Sequence, residues 1–321
     1  MRPRALFPLA PVFSLFLWAF AAAPVGAQDR ELSGSTLYRL DAGTTYQTGC
    51  FEPCLCPILV ETPVRGTLVL TPDGVEGAFS RFKVSDVNWT VSLGDPELRV
   101  TGSGVYLAGG DSGAEQRLLL DLVVGDLPVE RYDSGFVKGA DLPAIQVTVS
   151  IHGMYCYDTV FALSASPVPL REIVPYRTER DSTFTRGCVG LCDCLQGEPL
   201  PLSGSFQLVP LERNWLFSEY AVVNVRWAVE TDGGLAGDDL PVQGFGTYWV
   251  GGEVAVRQRM RLDLKVGSDP LAPYDSGLLS GGAAFPRIDV SVANGDPLCF
   301  QTVIDLRARP RLHRRLVGGQ R

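Results

Sequence analysis

Eight cysteines stand in two identical patterns. Cys50, Cys54 and Cys56 form a C-x3-C-x-C cluster followed by Cys156, and Cys188, Cys192 and Cys194 repeat it, followed by Cys299. Four thiols per copy suit one of two chemistries, a pair of disulfides or a four-cysteine metal centre. The metal reading lacks a second close ligand pair, because the fourth cysteine lies about a hundred residues away in each copy. Disulfides are therefore expected, one local from Cys50 to Cys54 or Cys56 and one long to Cys156, with the same choice in the second copy. Cys54 and Cys56 would sit ~6.6 Å apart in an extended chain, at the edge of bridging range, so they should bond elsewhere.

The second shared polar group is Tyr132-Asp133-Ser134-Gly135, which recurs as Tyr274-Asp275-Ser276-Gly277. Asp133 and Asp275 are candidates for calcium, with Asp126, Glu130 and Asp269 nearby, although calcium wants six to eight oxygens. The competing reading is an Asx-turn, in which aspartate bonds its own backbone two residues on and glycine supplies positive φ. Calcium is thus the one cofactor entertained; otherwise none is expected. Among aromatics, Trp89, Trp227, Tyr106, Tyr248 and Trp249 suit a sugar-stacking face. Trp89 and Trp227 share parity with valines and are assigned to the core, which leaves Tyr106, Tyr248 and Trp249 as binding candidates.

Gly110-Asp111-Ser112-Gly113 resembles the start of the segment around the nucleophile of chymotrypsin-like serine proteases. The resemblance covers four residues. Ala114 replaces the next glycine, the second copy has Gly252-Glu253-Val254-Ala255 there, and the only histidines are His152 and His313. A serine nucleophile needs a positioned base, so a turn between strands is expected instead. Asn88-Trp89-Thr90 fits the glycosylation acceptor pattern.

The elements that must hold these residues repeat as well. Gly66, Phe82 and Trp89 return as Gly204, Tyr220 and Trp227 at the cysteines' shift of 138. Tyr106 and Gln116 return as Tyr248 and Gln258 at 142, and Pro143 as Pro286 at 143. Such steps fall between apolar runs, where loops accept insertions. Met260, Leu262, Leu264 and Val266 alternate with Arg259, Arg261, Asp263 and Lys265, the period of a strand with one wet face. Leu118, Leu120, Leu122 and Val124 repeat that row, and Ile145, Val147 and Val149 match Ile288, Val290 and Val292. Tyr220 and Val222 lie opposite in parity to Val225 and Trp227, which predicts a bulge or two-sided burial near Asn224. The expected fold is all-β: two tandem homologous antiparallel sandwich or barrel domains, each of six to eight strands, stapled by disulfides.

Residues 1–27 carry Arg2 and Arg4, an apolar run and Val25-Gly26-Ala27, the build of a cleaved signal peptide. The expected organisation is a leader over 1–27, a first copy over 28–165, a linker over 166–171, a second copy over 172–308 and a basic, disordered tail over 309–321. The chain has a formal charge of −8, and the leader holds two arginines and no acid, so the remainder is more acidic still. Such a body disfavours nucleic acid, and no other apolar stretch approaches the ~20 residues of a spanning helix. The sequence thus predicts a secreted, extracellular or periplasmic protein that is non-catalytic and has a binding or structural role toward an unidentified extracellular or cell-envelope partner. The alternatives are an exported hydrolase, or a calcium-dependent adhesion module, with acids at the cleft between the copies.

Overall fold

The computed structural model describes residues 34–54, 61–93, 97–110, 115–138, 142–188, 195, 197–213, 216–231, 239–252, 256–295 and 299–311. The leader, most of the basic tail, Asp111-Ser112-Gly113 and Cys56, Cys192 and Cys194 lie outside the described residues.

Alternation of apolar and polar residues produces strands almost throughout. The first copy contains β1 (Thr36–Leu40), β2 (Thr45–Cys50), β3 (Thr62–Glu76), β4 (Phe79–Val91), β5 (Leu98–Gly109), β6 (Glu115–Val124), β7 (Glu130–Asp133), β8 (Val137–Lys138), β9 (Ile145–Ser150) and β10 (Tyr157–Pro167). A short 3-10 turn over Leu170–Glu172 leads to the second copy. There follow β11 (Val174–Thr178), β12 (Thr183–Cys188), β13 (Leu200–Arg213), β14 (Phe217–Val229), β15 (Leu240–Gly251), β16 (Arg257–Val266), β17 (Ala272–Asp275), β18 (Leu279–Ser280), β19 (Ile288–Gly295) and β20 (Phe300–Pro310). The last strand runs past 308 because Arg309 and Pro310 pair with Arg177 and Tyr176 of β11.

All pairings are antiparallel, and every pairing of the first sheet has its counterpart in the second. In the first copy the order β3-β4-β5-β6-β7-β9-β10 returns to β3 through β1 and β2, which both lie between β10 and β3. The ring closes at one bridge between β7 and β9, Asp133 opposite Ser150, and the second copy closes at Asp275 opposite Ala293. Each copy is therefore a closed barrel, which settles the choice between sandwich and barrel. With β1 and β2 sharing a place, the ring has eight strand positions, a size whose interior side chains fill completely.

The fill is the alternating row of the sequence. Leu118, Leu120 and Leu122 are buried together with Val100, Val149 and Trp89, and Leu262, Leu264, Val292 and Trp227 take the same places in the second barrel. Gly66 pairs with Trp89 at φ 148°, and Gly204 pairs with Trp227 at φ 145°. A Cβ at Gly66 would overlap Asn88 O and Trp89 Cα, and the same overlap recurs at Gly204, so close approach and positive φ both require glycine. The bulge expected near Asn224 is present: the β14 register shifts between Val222 and Val225, with Asn224 at φ 53°. The first copy repeats it between Val84 and Val87, with Asp86 at φ 50°. Asn and Asp tolerate that left-handed conformation, and the extra residue resets the parity of the strand.

Cys54 is bonded to Cys156, with Cα atoms 4.9 Å apart across 102 residues of sequence. Of the two local bridges expected, Cys50–Cys54 is thereby excluded. Cys50, Cys188 and Cys299 are disulfide-bonded too. Beside this staple, the buried Asp158 carboxylate accepts the backbone N–H groups of Ile151, His152, Met154 and Thr159. It fixes the turn that brings Cys156 round, in which Met154 and Cys156 have φ of 60° and 55°. Gln301 stands at the corresponding place in the second copy.

Candidate functional site

The duplicated Tyr-Asp-Ser-Gly is a structural clamp. Asp133 Oδ1 accepts the Gly135 N–H at 2.8 Å, the Asx-turn geometry, and Arg117 reaches both carboxylate oxygens at 3.0 and 2.6 Å. Asp275 does the same with Gly277 and Arg259. Ser134 and Ser276 accept the backbone N–H of Leu118 and Met260, each at 2.9 Å. Hydrogen bonding to Arg117 holds the Asp133 carboxyl below its ordinary range. Burial pushes Asp275 the other way, but Arg259 and Arg261 outweigh it and its value is lowered as well.

A calcium ion at either aspartate would have to displace a guanidinium, and Asp269 is itself paired with Arg186 at 2.8 Å. Among the described residues no three His, Cys, Asp or Glu side chains converge as a metal-holding group. EDTA is accordingly expected to leave the melting temperature of the protein unchanged, measured by differential scanning calorimetry. A drop of several degrees, reversed by calcium, would restore the calcium reading.

Tyr106 and Tyr248 are core residues in both barrels, fully removed from solvent. Burial raises both phenols well above their ordinary range, and Tyr248 donates to Gln258 Oε1 at 3.0 Å. Trp89 and Trp227 are core as well. Asn88 is also buried, and its amide donates to Gly246 O of the other copy at 2.6 Å, so the glycosylation pattern is inaccessible in the folded chain. Trp249 is the one binding candidate among these aromatics that reaches a surface recess.

That recess lies along the seam between the barrels, which belong to one compact body. The seam has an apolar patch and a charged stripe. Val168, Val209, Ala221 and Val223 bury one another, with Leu37 and Ile173 packed on them. The outer face of β14 is thus covered, and the two-sided burial expected there accompanies the bulge. The stripe crosses between the copies through Asn88 to Gly246, Arg99 to Asp263 and Arg65 to Glu219, and Arg39 reaches Pro210 O at 3.1 Å as well. Asp263, on the polar row of β16, is buried because Arg99 of the first copy covers it, with N–O distances of 2.5 and 3.3 Å.

Arg65 is the hub. It donates through Nε to Glu219 and through Nη2 to Glu97 at 2.5 Å, and Glu212 lies 3.6 Å away. The Glu219 side chain is only 9% exposed and that of Arg65 17%. Burial raises the Glu219 carboxyl above its ordinary value despite the pull of Arg65. Burial would lower Arg65, but Glu219 and Glu97 more than reverse it, so its value is raised.

Beside the hub opens a recess of about 350 Å³ lined by Glu97, Glu219, Thr247, Trp249, Arg259, Arg261 and Leu278. A smaller one of about 250 Å³ shares Glu97, Glu219 and Trp249 with it and reaches Arg65 and Phe217. Asp275 holds Arg259 and Arg261 in place at 2.6 and 2.9 Å, while Phe217 stacks on Trp249 with centroids 3.9 Å apart.

Asp133 is held by Arg117, and Asp275 by Arg259 and Arg261, each within its own barrel. The acids that do meet at the cleft, Glu97 and Glu219, went unnoticed in the sequence. Glu219 has no acidic counterpart to mark it, since the residue matching it at the shift of 138 is Arg81, whereas Glu97 matches Asp239 at the shift of 142. No protein-family model, curated protein or solved structure matches the chain.

Proposed function

We propose that the chain is exported, loses residues 1–27, and works outside the cytoplasm as a non-catalytic double barrel that binds a ligand or partner at its seam. In this reading an ancestral stapled barrel was duplicated and the two copies then fused along one face. The observation that carries it is the fate of the shared polar groups. Asp133 and Asp275, Ser134 and Ser276 all end in internal bonds that hold strands together. The seam recess, by contrast, opens to solvent with Glu97 of the first copy and Glu219, Trp249, Arg259 and Arg261 of the second around it. The Cys54–Cys156 staple is compatible with an oxidising compartment, and among the described residues no helix is long and apolar enough to cross a membrane.

Expression of the full chain with its leader tests the reading. The secreted or periplasmic fraction should contain a protein that begins at Gln28 and has no free thiol. Non-reducing peptide mapping should find Cys50–Cys56 with Cys54–Cys156, and by the repeat Cys188–Cys194 with Cys192–Cys299. Retention of the chain in the cytoplasm with reduced thiols would overturn it.

A hydrolase is the second reading, favoured by one observation: Glu219, with its raised carboxyl, and Glu97 face the same recess. A proton donor beside an ionised carboxylate is the working pair of many glycoside hydrolases. Against it, both carboxylates accept from the single Arg65 guanidinium, whose evident work is to join the copies.

A further inference from the structure

We infer that the seam recess is a carbohydrate site which takes one or two neutral pyranose rings, stacked on Trp249 and hydrogen-bonded by the Glu97, Glu219 and Arg261 side chains. The inference rests on the binding role proposed above and names its ligand class.

The comparison of the two barrels carries it. At the equivalent place in the first copy, Phe136 packs against Phe79 in a tilted arrangement with centroids 4.8 Å apart, and Arg117 lies over the Phe136 ring at 5.2 Å. Leu107 is buried in the strand below. That surface is closed by its own side chains. In the second copy Leu278 replaces Phe136, Trp249 replaces Leu107, Arg261 replaces Leu119, Thr247 replaces Val105 and Glu219 replaces Arg81. Losing the Phe136 ring removes the plug. Phe217, the counterpart of Phe79, stacks on the new indole instead, and the recess opens beside it. Every one of these replacements except Leu278 brings in a polar or amphipathic group. The barrel framework is otherwise retained, so the change is confined to the surface around the opening.

The chemistry of the lining selects the ligand. Indole offers a flat apolar face with a polar edge, which suits the C–H face of a pyranose. Carboxylates accept from hydroxyls and guanidinium groups donate to them, and here both are held in fixed planes by partners, Arg65 on one side and Asp275 on the other. The four acids Glu97, Glu212, Glu219 and Asp275 outnumber the three arginines Arg65, Arg259 and Arg261, so the recess does not favour a phosphate or another strongly anionic ligand. Its volume of about 350 Å³ is at the small end of ligand sites, enough for a short saccharide and too little for a folded peptide segment.

The test uses the full mature protein and follows binding by isothermal titration calorimetry with cellobiose, maltose, lactose and diacetylchitobiose, with AMP and a sulfated heparin disaccharide as anionic comparators. At least one neutral disaccharide should give a saturable change. Trp249→Leu and Leu278→Phe, which restore the residues of the first barrel, should each weaken it about tenfold or more, at unchanged melting temperature. Thr247→Val serves if either variant folds poorly. No response to any neutral disaccharide, a response only to the anions, or one unaffected by these variants would overturn the site. Chromatography of the bound sugar separates the two proposals. Cleavage would refute the non-catalytic role while leaving the site standing, whereas absence of binding would remove the site and leave that role untouched.

Discussion

Arg65→Met is expected to destabilise the protein by about 3–5 kcal/mol, the range for breaking a buried ion pair by removing one partner. Glu219 would remain buried without its counter-charge, and Glu97 and Ser92 would lose their donors as well. Glu219→Gln should cost far less, because the uncharged amide avoids the desolvation that already raises the carboxyl and Arg65 keeps Glu97. A double replacement, Arg65→Met with Glu219→Leu, should recover most of the loss, since an apolar pair of similar size can match a buried ion pair. Urea unfolding of the four proteins measures this series, and equal costs for the two single variants would contradict it.

The same pair sets a pH dependence with a definite sign. The folded-state value of Glu219 lies above its ordinary 4.5, so in the window just above 4.5 the folded protein binds protons that the unfolded chain has released. Stability contributed by this group is therefore present below 4.5 and is lost as the pH rises through that window. Asp263, raised by burial in spite of Arg99, acts in the same direction. Glu219→Gln should flatten the slope of unfolding free energy between pH 4.5 and neutrality. A slope unchanged in the variant would assign the dependence to other groups.

Replacing Cys54 and Cys156 together by alanine should cost about 4–5 kcal/mol, the chain-entropy value for a loop of about a hundred residues. The bridge spans 102 residues and joins the loop after β2 to the turn before β10, two strands that already pair through Cys50 and Tyr157. It thus locks the edge at which β10 enters the ring. Against a typical total of about 5–15 kcal/mol for a domain, either this loss or that of Arg65 is a large share. The mixed outcome, in which the disulfide variant loses less than about 1 kcal/mol, would mean that the unfolded first copy is already compact near Cys54.

The strands were legible in the chain because burial in a barrel acts on alternate residues, so Leu118, Leu120 and Leu122 announce their face without help from any distant partner. The duplication carried further information, since a residue present twice at one shift has a role inside the repeated unit. Gly66 with Gly204, Trp89 with Trp227, and the Asx-turns at Asp133 and Asp275 were all readable on that ground. The requirement that a site appear in both copies then hid the seam. Glu219 and Leu278 differ from their counterparts Arg81 and Phe136 and were passed over together with Glu97, and Asp263 read as a solvent-facing residue of a wet strand face. Local periodicity reports which face of a strand looks inward. It carries no record of which outward face meets another barrel, because that meeting depends on side chains some 150 residues apart whose shapes and charges match only after both barrels have closed. Composition, strand period and the doubled cysteine frame thus belonged to the chain as written, whereas the ring closure, the partner of Cys54, the charged seam and its recess came from packing in three dimensions.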